Sequence, residues 1–170
     1  MTSCVFDAIV VIQTHKQRDK KMLVVFDLDG TLANIEHRLD YVRSKPKNWK
    51  AFDAGIPNDK VNEPVAEVFH SLKAAGNEII FASGRSDRTR GMTETWLKEN
   101  NLWNYTARVY MRKDGDFRND SIVKDEMIDQ IIEDYGKLPD MWFDDRPRVV
   151  RAVRNRGIFV FDVYQGEEDF

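Results

Sequence analysis

Leu23-Val24-Val25-Phe26-Asp27-Leu28-Asp29-Gly30-Thr31 is an apolar run that ends on two aspartates spaced by two and then turns on a glycine. A short apolar run without polar alternation is the pattern of a parallel strand buried on both faces. Ligands of open α/β sheets bind beyond the carboxyl ends of such strands, which places Asp27 and Asp29 where chemistry is done. Two further runs have the same form. Trp142-Phe143-Asp144-Asp145 again ends on acids, and Ile79-Ile80-Phe81-Ala82-Ser83-Gly84 ends on a hydroxyl.

Helical periodicity fills the stretches between these runs. After a first strand over 22–28, Asn62-Glu63-Pro64 opens a helix with a capping residue and an early proline. That helix carries Val65, Val68, Phe69 and Leu72 on one face and stops at Gly76. A strand over 78–82, a helix over about 88–100 holding Met92, Trp96 and Leu97, and a strand over 107–111 follow. Asp120 or Ser121 caps the next helix, with Ile122, Val123, Met127, Ile128, Ile131 and Ile132 inward and an end near Gly136. A strand over 141–144, a helix over 147–156 and a strand over 158–163 complete the order. Short apolar strands separated by helices predict an α/β fold with a parallel, doubly wound sheet and right-handed crossovers.

The chain has 170 residues, 42% hydrophobic and 32% charged, which suits one globular domain with a sizeable core. No apolar run approaches the roughly 20 residues needed to cross a bilayer, so no membrane contact is expected. The apolar stretch Val5 to Ile12 has no basic region before it and no small-residue cleavage site after it, and a cytoplasmic location is expected. Cys4 is the single cysteine and has no intrachain disulfide partner. A net charge of −3 lacks the basic footprint of a protein that coats duplexes, so nucleic-acid contact should be local, at an end or a short strand. Residues 1–21 form an N-terminal extension, and its charge run His15 to Lys21 reads as a solvated linker before it reads as a nucleic-acid arm.

DLDGT at Asp27 to Thr31, Ser83 within SGR, Lys124 on a helix and the pair Asp144-Asp145 follow one another in the order of the motifs of the haloacid dehalogenase (HAD) superfamily. The chain resembles the aspartate-nucleophile phosphatases of that superfamily, and residues 22–170 would then be a HAD-like, Rossmann-type phosphatase domain. The interruption at 33–61 lies where the superfamily inserts its cap after the first strand. At under thirty residues it is too short to seal a site, so an open site is expected. The resemblance implies that Asp27 attacks phosphorus and becomes an aspartyl phosphate, while Asp29 protonates the leaving oxygen and later activates water. Ser83 and the backbone amides around Gly30, Thr31 and Gly84 would bind phosphoryl oxygens.

A phosphate dianion nearing a carboxylate meets a repulsion of about 4 kcal/mol per charge pair at roughly 4 Å and an effective dielectric near 20, so cations must cancel it. Hard oxygen ligands suit Mg²⁺: Asp27, Asp29 through its carbonyl, and Asp144 or Asp145. Lys124 supplies a second positive charge, and Asp120, one helical turn before it, is placed to hold the ammonium.

A closer resemblance covers residues 22–170. DLDGTLANIEHR at 27–38, SGR at 83–85, GDFRNDSIVK at 115–124 and FDDRPRVVRAVRNRGI at 143–158 are similar to the 3′-phosphatase domains of bacteriophage polynucleotide kinase-phosphatases. That likeness implies that Arg38 and Arg85 are required, that Asp120 and Lys124 are essential, and that Asp144 and Asp145 serve the metal. The chain departs from the pattern in having no GxxxxGK[ST] kinase loop and no counterpart for Pro46 to Asn58. The implied activity is Mg²⁺-dependent removal of a 3′-phosphate from a nucleic-acid end or nucleotide, beside a separate polynucleotide kinase or ligase. A 5′-deoxynucleotidase is the alternative. A binding module without catalysis is disfavoured because the nucleophile and Lys124 are both present, and a dehalogenase would have no use for Asp29.

Other conspicuous residues have ordinary readings. Trp96 and Trp142 lie within apolar faces and are assigned to the core. Trp49 is open between packing in the cap and stacking on a base. His15, His37 and His70 show no ligand spacing, and Arg146, Arg148, Arg151, Arg154 and Arg156 read as a solvated helix face.

Overall fold

Leu23, Val24, Val25 and Phe26 are all buried, and they point alternately into two separate cores: Val24 and Phe26 into one, Leu23 and Val25 into the other. This strand is therefore central to a sheet covered on both faces. The computed structural model describes residues 21–103 and 107–164. The extension before Lys21 and the closing Gly166 to Phe170 lie outside the described residues.

In chain order the elements are β1 (Leu23–Phe26), β2 (Ala33–Asn34), α1 (Glu36–Arg43), α2 (Trp49–Ala54), β3 (Lys60–Val61), α3 (Glu63–Ala74), β4 (Glu78–Ser86), α4 (Arg90–Glu99), β5 (Val109–Arg112), α5 (Asp120–Tyr135), β6 (Met141–Asp144), α6 (Pro147–Asn155) and β7 (Phe159–Asp162). Short 3₁₀ turns at Ile56–Asn58 and Asp87–Thr89 precede β3 and α4. Five strands form one parallel sheet in the order β5-β4-β1-β6-β7. The chain runs outward from β1 through β4 to β5, then returns through α5 to place β6 on the other side of β1. The strand order reverses between β1 and β6, and ligands of such sheets bind at that crevice.

Helices α3 and α4 bury Val65, Phe69, Trp96 and Leu97 against one face, and α5 and α6 bury Val123, Met127, Ile128, Val149, Val150 and Val153 against the other. The doubly wound α/β expectation is met. β2 and β3 pair antiparallel, and the ribbon they make brackets α1, α2 and the Ile56–Asn58 turn.

Several local expectations are corrected. Asn62 stands at the N-cap position of α3, but its side-chain amide donates to the Thr31 carbonyl at 2.9 Å and caps nothing. The cap of α5 is Asn119, whose side chain accepts from the Ser121 amide at 3.0 Å, so the Asp120 carboxylate is released for other partners. Val68, Met92 and Ile122 are exposed, because each lies at the edge of an apolar stripe wider than the contact its helix makes. β4 runs on to Ser86, past the predicted end at 82, through a register shift against β5 between Ser83 and Ser86. No described helix is long and apolar enough to cross a membrane.

Candidate active site

The nucleophile candidate is fixed by the sheet itself. The Asp27 amide donates to the Phe143 carbonyl at 3.0 Å, which ties the end of β1 to β6. The chain then turns tightly, with Thr31 and Ala33 amides both donating to the Leu28 carbonyl. Gly30 takes φ +86°, and a Cβ there would stand 2.0 Å from Oδ2 of Asp145. Both the dihedral and the space demand glycine. Gly30→Ala is expected to destabilise the fold by at least about 1–3 kcal/mol and to displace Asp145, measured as a lower Tm.

Asp27, Asp144 and Asp145 bring carboxylate oxygens within 4.8 Å of one another, all three buried. Lys124 reaches into this group from α5, its ammonium 2.9 Å from Asp27, 2.8 Å from Asp144 and 3.6 Å from Asp120. Asp144 Oδ2 also accepts from the Trp142 indole at 3.1 Å, and Oδ1 accepts from the Arg146 amide at 3.1 Å. Trp142 thus belongs to the core and orients an acid as well.

Sequence spacing assigned Asp120 to Lys124 alone. Its closer partner is Arg112, at 2.9 Å, with Arg146 at 3.4 Å. Arg112 also donates to the Gly84 carbonyl at 2.9 Å, and Gly84 needs its missing side chain because a Cβ would stand 2.4 Å from Asp120 Oδ1. Arg146, read from sequence as part of a solvated face, has its guanidinium turned toward the site acids. Ser83 is fully buried at the end of the apolar part of β4, and its hydroxyl accepts from the Arg85 amide at 3.3 Å. Thr31 donates its hydroxyl to Asp145 Oδ1 at 3.3 Å.

A second cluster surrounds Asp29. Arg38, from the first cap helix, donates to Asp29 Oδ1 at 2.7 Å, and Arg85 donates to the same oxygen through Nε at 2.7 Å. The Asp29 carboxylate therefore lies outside the acid triad. Asp59, which the sequence reading did not single out, is buried at the end of the cap. It takes Arg38 side-on, Nε to Oδ1 at 2.6 Å and Nη2 to Oδ2 at 2.7 Å, and accepts from Arg85 Nη2 at 2.7 Å. His37 Nε2 lies 2.9 Å from Asp59 Oδ1, so this histidine has a partner that its spacing did not reveal. A lone acid in a polar insertion carries no periodic signal; only the fold brings it to the arginines.

The site is less open than the length of the cap predicts. The side chains of Asp27 and Asp29 retain 3% and 12% of their exposure, and Arg38 retains none. Trp49 is exposed, edge-on to the buried Phe52, whose ring faces the Arg38 guanidinium at 4.1 Å.

The two clusters differ electrostatically. Burial pushes the Asp27 carboxyl well above the usual carboxylate range, and Asp144 and Asp145 add to this against the pull of Lys124. Burial and Asp144 likewise push Asp145 up to about 6. For Asp29 burial acts upward too, but Arg85 and Arg38 outweigh it and hold its carboxyl low. The triad thus carries surplus negative charge, whereas Asp29 and Asp59 are matched by Arg38 and Arg85.

A parallel sheet in this order, with an acid at the end of its central strand and a cap inserted after that strand, defines an α/β fold of the HAD superfamily. A hydrolase from Streptococcus pneumoniae TIGR4 shares the fold at 16% identity, with a TM-score of 0.60 over 84% of this chain and 92% of that one. Residues 21–170 match the family of the polynucleotide kinase PNKP phosphatase domain, and the chain belongs to that family of HAD phosphatases. It is a phosphoric monoester hydrolase by that membership. One similar solved chain, from the Pnkp1/Rnl/Hen1 RNA repair complex, is 30% identical with a TM-score of 0.70, covering 89% of this chain and 45% of that one. Another, from a Pnkp1/Rnl/Hen1 complex, is 29% identical with a TM-score of 0.70, covering 94% and 52%. The chain spans about half the length of these relatives.

Proposed function

We propose that the protein removes the 3′-phosphate from a polynucleotide end, using Mg²⁺ and an aspartyl phosphate on Asp27. The observation that carries this reading is the pairing of an oxygen-only acid triad holding surplus negative charge with a neighbouring carboxylate gripped by two buried arginines. The triad fits a hard divalent cation. Its three carboxylates offer oxygen donors at close range, and the upward push on Asp27 and Asp145 is what a bound cation would relieve. Asp27, Asp144, Asp145 and the Asp29 carbonyl would hold Mg²⁺, which when bound neutralises the phosphoryl oxygens that face Asp27.

The chain's own groups do the rest. Lys124 keeps Asp27 aimed and offsets its charge, and Asp120 steadies that ammonium with Arg112. An Asp27 oxygen forms the bond to phosphorus as the ester oxygen leaves. Asp29 gives that oxygen its proton, then takes one from the water that cleaves the aspartyl phosphate. Asp29 is held ionised by Arg85 and Arg38 in the free enzyme; an arriving phosphate competes with it for those cations, and the carboxyl so released takes from solvent the proton that it then delivers to the leaving oxygen. Arg38 Nη1 is buried without a hydrogen-bond partner, a donor kept for a substrate oxygen. The Ser83 hydroxyl and the backbone around Gly84 complete the phosphoryl cradle; the Gly30 and Thr31 amides, which the sequence reading also assigns to it, are used within the turn, on the Ala33 and Leu28 carbonyls. Arg38 stands in the cap, on the side from which the leaving nucleotide must depart.

The relatives assembled as Pnkp1/Rnl/Hen1 support a kinase or ligase that works on the same ends as the class of partner. Phosphate release by the purified protein tests the reading. A 3′-phosphorylated oligonucleotide should be hydrolysed at least about tenfold more efficiently, by kcat/KM, than deoxynucleoside 5′-monophosphates. Activity should vanish in excess EDTA and return with Mg²⁺. The reverse preference would establish the 5′-deoxynucleotidase, and undiminished turnover in EDTA would remove the metal.

A further inference from the structure

Phe117 keeps 87% of its surface exposed, more than any other large apolar side chain among the described residues. A lone apolar side chain on a protein surface is ordinary. This one differs in where it stands and in how firmly its loop is held.

It belongs to residues 113–119, which join β5 to α5 on the side of the sheet where the strands end at the site acids. Arg112, the last residue of β5, donates through Nη1 to the carbonyls on either side of the ring, Asp116 at 3.2 Å and Arg118 at 2.8 Å, and through Nη2 to Asp120. One guanidinium therefore fixes both the backbone that carries the ring and the acid beside Lys124. Arg118 closes the loop from outside by forking onto Asp116 and onto Glu126 of α5. At the other end Asp114 accepts from the Ser86 hydroxyl at 2.9 Å and gives its amide to Asp87 at 3.0 Å, and Arg88 bridges it to Asp53 of the cap. A loop with so many ties cannot fold its ring back onto the core. Phe117 is a preorganised surface at the rim of the site, outside the groups that hold the phosphate.

The surroundings select the ligand. The neighbours of the ring from 112 to 119 are charged or polar apart from Gly115, with three cations against two acids. Both acids are engaged, Asp114 by Arg88 and Asp116 by Arg118. An aromatic anchor for a protein partner works at the centre of a packed apolar patch, and these neighbours offer none. A nucleobase makes no such demand. It brings a π face for the ring and a phosphate for the cations, and stacking accepts any base.

We infer that Phe117 is a stacking platform for one unpaired base of the strand whose 3′-phosphate enters the site. The inference rests on the polynucleotide reading above and deepens it, because it gives the polymer a contact that a small phosphate monoester lacks. The contact acts in binding, and the chemistry at Asp27 does not depend on it.

Phe117→Ala removes the ring and touches none of the groups placed in the reaction. With a 3′-phosphorylated single-stranded oligonucleotide its KM should rise between about fivefold and about a hundredfold, the range set by one stacked base, with kcat within about twofold of the wild type. With p-nitrophenyl phosphate both constants should stay within about twofold. Phe117→Trp should keep the wild-type KM, whereas Phe117→Leu, apolar but without a π face, should behave as Phe117→Ala. Oligonucleotides with a single abasic position supply a second readout. At one position the missing base should cost the wild type the same factor and cost Phe117→Ala nothing further. A wild-type KM in Phe117→Ala or Phe117→Leu, equal losses on the two substrates, or abasic losses that simply add to that of Phe117→Ala would each overturn the inference and leave the ring for a protein partner. If the wild type releases no phosphate from 3′ ends, the substrate reading fails, and stacking is decided with an unphosphorylated strand as inhibitor of p-nitrophenyl phosphate hydrolysis. A Ki raised at least about fivefold in Phe117→Ala then supports the platform, and an unchanged Ki or no inhibition overturns it.

Discussion

Asp27→Asn is expected to abolish turnover, by about 10⁴-fold or more, the scale on which loss of a nucleophile is felt in enzymes that work through a covalent intermediate. The exchange leaves the Asp27 amide bonded to Phe143 and changes only the side chain. It also removes one charge from a triad in which burial, Asp144 and Asp145 already oppose the ionised form. The variant should consequently melt within a few degrees of the wild type. It should still bind inorganic phosphate in the presence of Mg²⁺, measured by calorimetry. Retention of more than about 1% of kcat in a pure preparation would take the nucleophile's role from Asp27.

Lys124→Met should be the most destabilising single change in the site. The ammonium is buried between Asp27 and Asp144 with Asp120 nearby. Burial opposes its charge, but Asp144, Asp27 and Asp120 outweigh burial and hold its pKa above the ordinary lysine value. Removing one partner of a buried ionic group leaves the remaining charges uncompensated, at a cost of about 3–5 kcal/mol. For a domain of this size that is a fall in Tm of roughly 10 °C or more. The pH dependence has a definite sign. A carboxyl whose folded-state pKa lies above its unfolded value binds protons preferentially in the native state, so stability is lost as pH rises from the unfolded value toward the folded one. Without Lys124 the Asp27 carboxyl shifts further up, and the defect should be largest near neutrality and shrink as pH falls through about 4, below which this carboxyl is protonated in both states. Unfolding curves at several pH values check this, and a pH-independent defect would show that the ammonium does not compensate the triad. Activity should fall with stability at neutral pH and remain low under acid conditions where the fold recovers.

The chemistry at the strand ends was legible because each piece of it follows an apolar run with a recognisable period. Asp27, Ser83 and Asp144 are read from β1, β4 and β6 for that reason, and Lys124 from a helix of clear amphipathic form. The fold's switch point between β1 and β6 is implied by the same order of strands. What escaped was everything decided by contacts across elements. Asp59 sits in a polar insertion where one acid looks like another, and its partners lie 21 and 26 positions away. Asp120 was correctly placed beside Lys124, but the i, i+4 rule describes one helix and knows nothing of Arg112 arriving from β5. Arg146 precedes α6, at the end of β6, where the chain still faces the crevice, and Arg156, just past the end of α6, pairs with Asp125 and Asp129 of α5, so neither belongs to a solvated face. Val68 and Ile122 show the opposite limit: periodicity gives the direction of an apolar stripe but not the width of the surface that covers it.

The contacts at Gly30 and Gly84 bear on how the molecule moves. Asp145 fills the space beside Gly30 and receives the Thr31 hydroxyl, while Asp120 fills the space beside Gly84 and is tied through Arg112 to the carbonyl of that same glycine. Loops from β1, β4, α5 and β6 are thus interlocked at van der Waals distance, and none can swing aside without pushing its neighbour. The floor of the site behaves as one stiff body. The cap joins this floor through the β2–β3 ribbon, through the bonds from Arg38 to Asp29, from Arg85 to Asp59 and from Arg88 to Asp53, and through Leu39, Phe52 and Ile56, which are buried in the same core as β1.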